Sequence, residues 1–82
     1  MASVTVRYWA GARAAAGVHE EPYDGDTLGA VLDQAAAAHG PELARVLTVA
    51  SFLVDGVRTG RDAPLADGAT IEVLPPFAGG SR

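Results

Sequence analysis

A single helical stripe of apolar residues constrains the fold of this chain more than any other feature. Leu28, Val31, Leu32 and Ala35 fall at positions i, i+3, i+4 and i+7, so they occupy one face of an α-helix. Thr27 just before them predicts an N-cap, because its hydroxyl can accept a hydrogen bond from a free backbone N–H of the first turn. One apolar stripe needs an apolar surface to cover it, and the rest of the chain must supply that surface.

Short segments with strand character lie on both sides of this helix. β-branched or aromatic residues alternate in them with polar ones, or they end at turn residues such as Asp55-Gly56. These segments are residues 4–9, 18–23, 52–54, 57–59 and 70–74. Pro41 can begin a short second helix that carries Leu43 and Leu47. We therefore predict an α+β fold, with a mixed β-sheet of four to five strands packed on one main helix.

The chain has 82 residues, which is enough for one domain and too few for two lobes that enclose a cleft. We expect residues 1–76 to form this domain. Residues 77–82 are rich in glycine and lack hydrophobic periodicity, so we expect them to form a flexible C-terminal tail. A domain of this size suits a carrier or a non-catalytic subunit better than a self-contained enzyme, and we expect no catalytic residue in it.

Composition and charge exclude several classes of function. The chain has no cysteine, which removes disulfides, thiolate nucleophiles and cysteine-based metal sites. Its net charge is −4 and its arginines are dispersed, so we expect no binding to nucleic acid. No apolar run is long enough to span a bilayer and no signal peptide pattern opens the chain, so we expect a cytoplasmic protein without a membrane partner.

The remaining titratable residues predict no metal site. His19 and His39 lie far apart in the sequence and have no ligand pattern around them, so surface or capping roles are expected. Glu20 and Glu21 are interpreted as the solvated end of a strand.

The order of residue types near the C-terminus carries the functional information. Asp67-Gly68 is followed by a strand, then by Pro75-Pro76, Phe77, Ala78 and Gly79-Gly80. Together with Arg7-Tyr8-Trp9-Ala10, this order resembles the MoaD/ThiS family of ubiquitin-like sulfur carriers. The resemblance is closest to the MoaD-type small subunit of molybdopterin synthase. It implies a β-grasp, or ubiquitin-like, fold.

The resemblance also implies that Gly80 is the working residue. In the family, an E1-like enzyme adenylates the terminal glycine with ATP, and a sulfur donor displaces AMP to leave a thiocarboxylate. Gly80 would be the site of adenylation and sulfur attachment, and Phe77, Ala78 and Gly79 would enter the partner's active site with it. ATP would be used by the activating partner, and the carrier would bind no cofactor itself. Glycines without a Cβ suit a narrow cleft, and the two preceding prolines keep the segment extended.

The implied partners are an E1-like adenylyltransferase or sulfurtransferase and a sulfur-accepting synthase, either a MoaE-type large subunit or another enzyme. The expected pathway is molybdopterin, or molybdenum cofactor, biosynthesis. Thiamine, cysteine, thiosugar and other secondary-metabolite pathways remain alternatives. Two further alternatives are a ubiquitin-like interaction module that is never activated and a modifier conjugated to lysines of other proteins.

Ser81 and Arg82 follow Gly80, whereas the common family ending leaves the second glycine with a free carboxylate. Two explanations stay open at this point. The pair is either a natural extension that a protease removes before activation or a cloning addition to a chain that natively ends at Gly80.

A partner-binding surface is predicted from strand parity. If Val6 and Tyr8 face the helix, Trp9 faces away from it, and Leu74 does the same if Val73 faces inward. The first and last strands of a β-grasp are neighbours, so Trp9 and Leu74 are expected side by side on the surface. Phe77 is expected to join them near the tail, and exposed apolar residues of this kind suit contact with a partner.

Overall fold

The computed structural model describes residues 1–76. Eight elements follow one another: β1 (Ala2–Tyr8), α1 (Ala10–Ala16), β2 (Glu20–Gly25), α2 (Leu28–His39), α3 (Pro41–Leu47), β3 (Ser51–Val54), β4 (Val57–Arg58) and β5 (Thr70–Leu74). Phe77, Ala78, Gly79, Gly80, Ser81 and Arg82 lie outside the described residues.

The strands form one mixed sheet in the order β2-β1-β5-β3-β4. The pairing between β1 and β5 is parallel and the other three pairings are antiparallel. The predicted α+β class and the mixed sheet are confirmed. The last strand of the chain lies at the centre of the sheet, so its C-terminal end is held by a neighbour on each side.

Helix α2 begins as the sequence predicts. The Thr27 hydroxyl accepts a hydrogen bond from the Ala30 backbone N–H at 3.2 Å. The predicted apolar stripe is fully buried, with no exposed area at Leu28, Val31, Leu32 or Ala35. Pro41 begins α3, as predicted, and this helix adds Leu43 and Leu47 to the core.

The sheet supplies the surface that covers the stripe. Alternate residues of the adjacent strands β1 and β5 point into the core, and Val6, Ile71 and Val73 have no exposed area. Period-two alternation in a half-buried strand has this consequence, because successive side chains point to opposite faces. No helix in residues 1–76 is both long and apolar enough to cross a membrane.

Several strand boundaries differ from the prediction by one or two residues, and the backbone explains two of these differences. Strand β1 ends at Tyr8, because Ala10 has a left-handed backbone with φ of 50° and Trp9 becomes the N-cap of α1. Strand β2 begins at Glu20 instead of residue 18. The three preceding residues include Gly17, which ends α1 with φ of 80°, and they reverse the chain direction.

Candidate partner-docking site at the base of the tail

The tail leaves the domain from the central strand. Tyr8 and Val73 are paired in the parallel ladder of β1 and β5, and the Trp9 backbone N–H donates to the Val73 carbonyl at 3.1 Å. Trp9 and Leu74 therefore follow paired residues at the same end of adjacent strands. Pro75 and Pro76 continue the chain from there, and both are exposed.

Trp9 is 36% exposed, and two features hold it in position. Its carbonyl accepts a hydrogen bond from the Ala12 backbone N–H at 3.0 Å, which fixes its backbone at the start of α1. The Arg7 guanidinium lies 5.3 Å from the centroid of its ring, within the range of a cation–π interaction. The indole is thus a pre-positioned aromatic surface. Its predicted role in partner binding, like that of Leu74 and Phe77, stays a prediction.

Leu74 is half-buried because it lines a groove that strand parity does not reveal. This tail-base groove has a volume of about 120 Å³ and lies where β5 and the start of α1 meet the segment after α3. Its lining residues are Gly11, Ala12, Val46, Val49, Ala50, Leu74, Pro75 and Pro76. None of these residues carries a charge. The side chain at the rim, Val49, is 61% exposed.

A second, larger cleft of about 410 Å³ lies among α2, α3 and β3. The two sites share one lining residue, Ala50. It contains neither proline from the base of the tail, so we place the candidate site at the smaller groove. In residues 1–76 no three His, Cys, Asp or Glu side chains lie close enough together to hold a metal ion.

A polar cluster of Tyr8, Glu21, Tyr23 and His39 links the sheet to the end of α2. One carboxylate oxygen of Glu21 accepts hydrogen bonds from the Tyr8 hydroxyl at 2.6 Å, the Tyr23 hydroxyl at 2.8 Å and His39 Nε2 at 2.5 Å. An ionised carboxylate can only accept, so Nε2 must carry a proton. The interpretation of Glu21 as solvated is wrong, since its side chain is only 22% exposed.

These contacts change the ionisation of the cluster. Burial by itself raises the pKa of Glu21, but hydrogen bonds from Tyr8, His39 and Tyr23 together outweigh it and hold the pKa below its ordinary value of 4.5. Burial and the bond to Glu21 raise the pKa of Tyr8, and they raise the pKa of Tyr23 to about 12. Both hydroxyls therefore stay protonated as donors at neutral pH.

We expect Glu21→Gln to destabilise the protein by about 1 to 3 kcal/mol at pH 7, because it removes the charge that three donors share. A lowered folded-state pKa means that the contribution of Glu21 is present above the unfolded pKa near 4.5 and is lost as the pH falls through the folded value. Urea denaturation at pH 7 and at successively lower pH values, through and below the unfolded pKa, measures both effects.

Glu20→Gln is the matched control, because the neighbouring Glu20 side chain is 58% exposed and forms a surface ion pair with Arg7 at 3.5 Å. We expect this variant to keep the pH dependence of the wild type. Equal losses of stability on acidification for wild type and Glu21→Gln would contradict the role given to Glu21.

Comparisons with known proteins agree with this geometry. The model of the ThiS family matches residues 6–80. Small archaeal modifier protein 1 of Haloferax volcanii has 25% sequence identity and a TM-score of 0.81, covering 94% of this chain and 100% of its own. Among curated proteins, no significant match was found.

Two solved structures of lower identity share the fold. A Pyrococcus furiosus protein described as molybdopterin converting factor subunit 1 has 23% identity and a TM-score of 0.78, with 94% of this chain and 100% of that chain covered. Subunit 1 of the molybdopterin-converting factor from Helicobacter pylori, solved in complex with subunit 2, has 21% identity and a TM-score of 0.65. The alignment covers 93% of this chain and 96% of that one.

The family match spans almost the entire chain and ends at Gly80, and the fold is the β-grasp that the C-terminal pattern implies. This chain belongs to the ThiS family of ubiquitin-like sulfur carriers.

Proposed function

We propose that this chain carries sulfur as a thiocarboxylate on Gly80 and donates it in molybdopterin biosynthesis. The observation that carries the proposal is the continuity between the family match, which ends at Gly80, and the central strand β5, which leads directly into Pro75-Pro76 and the tail. A central strand is paired on both sides, so it gives a rigid support to a tail that must enter the active site of a partner. The domain supplies position and stiffness, and the partner supplies the chemistry.

The chemistry needs only the terminal carboxylate of the carrier. A Gly80 carboxylate oxygen attacks the α-phosphorus of ATP and releases pyrophosphate, which leaves an acyl-adenylate. A persulfide sulfur of the donor then attacks the carbonyl and AMP departs with its electron pair. A partner thiolate then attacks the donor sulfur of the resulting acyl disulfide and forms a new disulfide with it, and the thiocarboxylate leaves with the electron pair. Each step takes place on the partner enzymes, in agreement with the predicted lack of a catalytic residue in the carrier.

The Helicobacter pylori relative was solved with its second subunit, which supports a synthase subunit as the recipient of the sulfur. The Haloferax volcanii relative, a modifier protein, favours a second candidate function in which Gly80 is joined to lysines of other proteins. Both functions begin with adenylation of Gly80. In the first, the synthase takes the sulfur from the thiocarboxylate. In the second, a lysine amine of another protein takes the acyl group.

Intact mass spectrometry tests the proposal. A chain ending at Gly80 is incubated with the E1-like adenylating enzyme of the source organism, ATP and a sulfur donor. We expect its mass to rise by the difference between sulfur and oxygen, and we expect the sulfur to be lost when the synthase large subunit and the pterin precursor are added. An unchanged mass would instead favour an interaction module, and Gly80 adducts on lysines of other proteins would favour the modifier.

A further inference from the structure

The tail-base groove is rigidly built. Helix α3 ends with the Val49 and Ala50 backbone N–H groups both donating to the Val46 carbonyl, at 3.1 and 3.0 Å. The Thr48 hydroxyl donates to the Arg45 carbonyl at 2.7 Å in the same turn. These bonds fix the loop that presents Val49, so the groove exists before any partner binds. Yet the Val49 side chain remains 61% exposed, although burying a valine is favourable.

The position of the groove determines which molecule must lie close to it. Pro75 and Pro76 form part of its wall, and Gly80 is four residues beyond Pro76. Four fully extended residues span at most about 14 Å. Any enzyme that holds the Gly80 carboxylate in its active site therefore has surface within about 14 Å of the groove wall. A standard interface covers about 800 Å² per partner, roughly 30 Å across, which is wide enough to include the groove.

The chemistry of the lining specifies what can fill it. All eight lining residues are glycine, alanine, valine, leucine or proline, so the groove offers no charged partner for a polar group. A cavity of roughly 150 Å³ lined by apolar side chains takes a small hydrocarbon group, and this groove of about 120 Å³ has the volume for an aliphatic side chain. An aliphatic anchor in a pre-formed pocket is a common source of binding energy at protein interfaces.

We infer that the tail-base groove receives an aliphatic side chain of the E1-like enzyme that adenylates Gly80. The inference rests on the proposed function and adds a contact on the domain to the contacts of the tail. Val49 and the two prolines bring the enzyme to the base of the tail, while Gly79 and Gly80 reach its active site. The groove thus contributes to affinity for the enzyme and leaves the chemical step unchanged.

Val49→Arg against Val57→Arg is the matched test, in chains that end at Gly80. Both valines are exposed to a similar extent, 61% and 65%, and Val57 lies in the edge strand β4, outside the groove. ATP–pyrophosphate exchange with the E1-like enzyme gives KM for the carrier and kcat. We expect Val49→Arg to raise KM about tenfold or more at unchanged kcat, and Val57→Arg to leave both near the wild-type values.

A second pair of variants fills the groove without adding charge. Gly11 lines the groove and a Cβ added there meets nothing within 4 Å, so Gly11→Leu adds an aliphatic side chain at the groove without a clash. Ala14→Leu places the same side chain at an exposed position of the same helix, outside the groove lining. We expect Gly11→Leu alone to raise KM. Thermal denaturation checks that all four variants are folded.

Several results would overturn the inference. Equal KM values for Val49→Arg and Val57→Arg, with the wild type still gaining sulfur, would reject the groove contact and leave the proposed function intact. A wild-type dimer that Val49→Arg dissociates without any change in KM would assign the groove to a second copy of this chain. A wild-type chain that the enzyme never activates would overturn the inference and the proposed function together.

Discussion

A chain that ends at Gly80 is expected to gain one sulfur atom, whereas the 82-residue chain with Ser81 and Arg82 is expected to gain none under the same conditions. Adenylation needs a free carboxylate, and the Gly80 carbonyl of the longer chain is part of an amide. The carboxylate of Arg82 is free but lies on a residue with a long charged side chain, which a cleft shaped for glycine excludes. Intact mass spectrometry after incubation with the E1-like enzyme, ATP and a sulfur donor measures both chains side by side.

Gly80→Ala in the Gly80-terminated chain is the control for the shape of the tip. It keeps the free carboxylate and adds one methyl group, so we expect activation to slow by about 100-fold, the cost of a small displacement of the reacting atoms. Sulfur found on Arg82, or normal activation of Gly80→Ala, would contradict the requirement for glycine at the tip. Treatment of the 82-residue chain with a carboxypeptidase that stops at glycine should restore activation.

Ile71→Ala is expected to destabilise the domain by about 2 to 5 kcal/mol. Ile71 has no exposed area and lies in the central strand β5, where it pairs with Val6 of β1 and Val54 of β3. Truncation leaves a cavity that neighbours on two sides cannot fill. Domains of this kind are stable by about 5 to 15 kcal/mol in total, so a large share of the stability would be lost. Urea denaturation at pH 7 measures the change.

Ile71→Val is the graded control and is expected to cost about 0.5 to 1.5 kcal/mol, because it removes one methylene and keeps the β-branched shape. The KM for the E1-like enzyme should stay near the wild-type value in both variants at temperatures where they are folded, since Ile71 contacts the core and not the partner. Similar stabilities of the alanine and valine variants would mean that the core relaxes around β5 more than its packing indicates.

The parts of the fold that depend on local patterns could be predicted. The stripe from Leu28 to Ala35 and the Thr27 N-cap depend on residues three or four positions apart, and helix geometry determines how such residues meet. The alternation in Thr70–Leu74 determines which of its side chains face the core as soon as the strand forms. The C-terminal residue order could likewise be compared with a family without knowledge of any contact.

The parts that depend on distant residues could not be predicted. Glu21 and His39 are 18 positions apart, and only the docking of the α2 end against β2 brings Nε2 to the carboxylate. A glutamate at the end of a strand, next to an exposed residue, gives the same sequence pattern in two cases: when tyrosine hydroxyls contact it and when they do not. Strand parity was the one available signal for this contact. Glu21 and Tyr23 are two positions apart in β2 and so share a face, and the pairing of Val6 with Glu21 puts Tyr8 on that face too.

By itself, the sequence determined the class of fold, the helix that forms its core and the family, and it singled out the glycine that we propose carries the sulfur. These follow from short-range periodicity and residue order, which are properties of the chain before it folds. Only the tertiary structure decided that Glu21 is a half-buried acceptor and that Leu74, Val49 and the two prolines line a groove at the end of the central strand. Each of these depends on how separate elements pack against one another, and the free energy of that packing is not contained in any one segment.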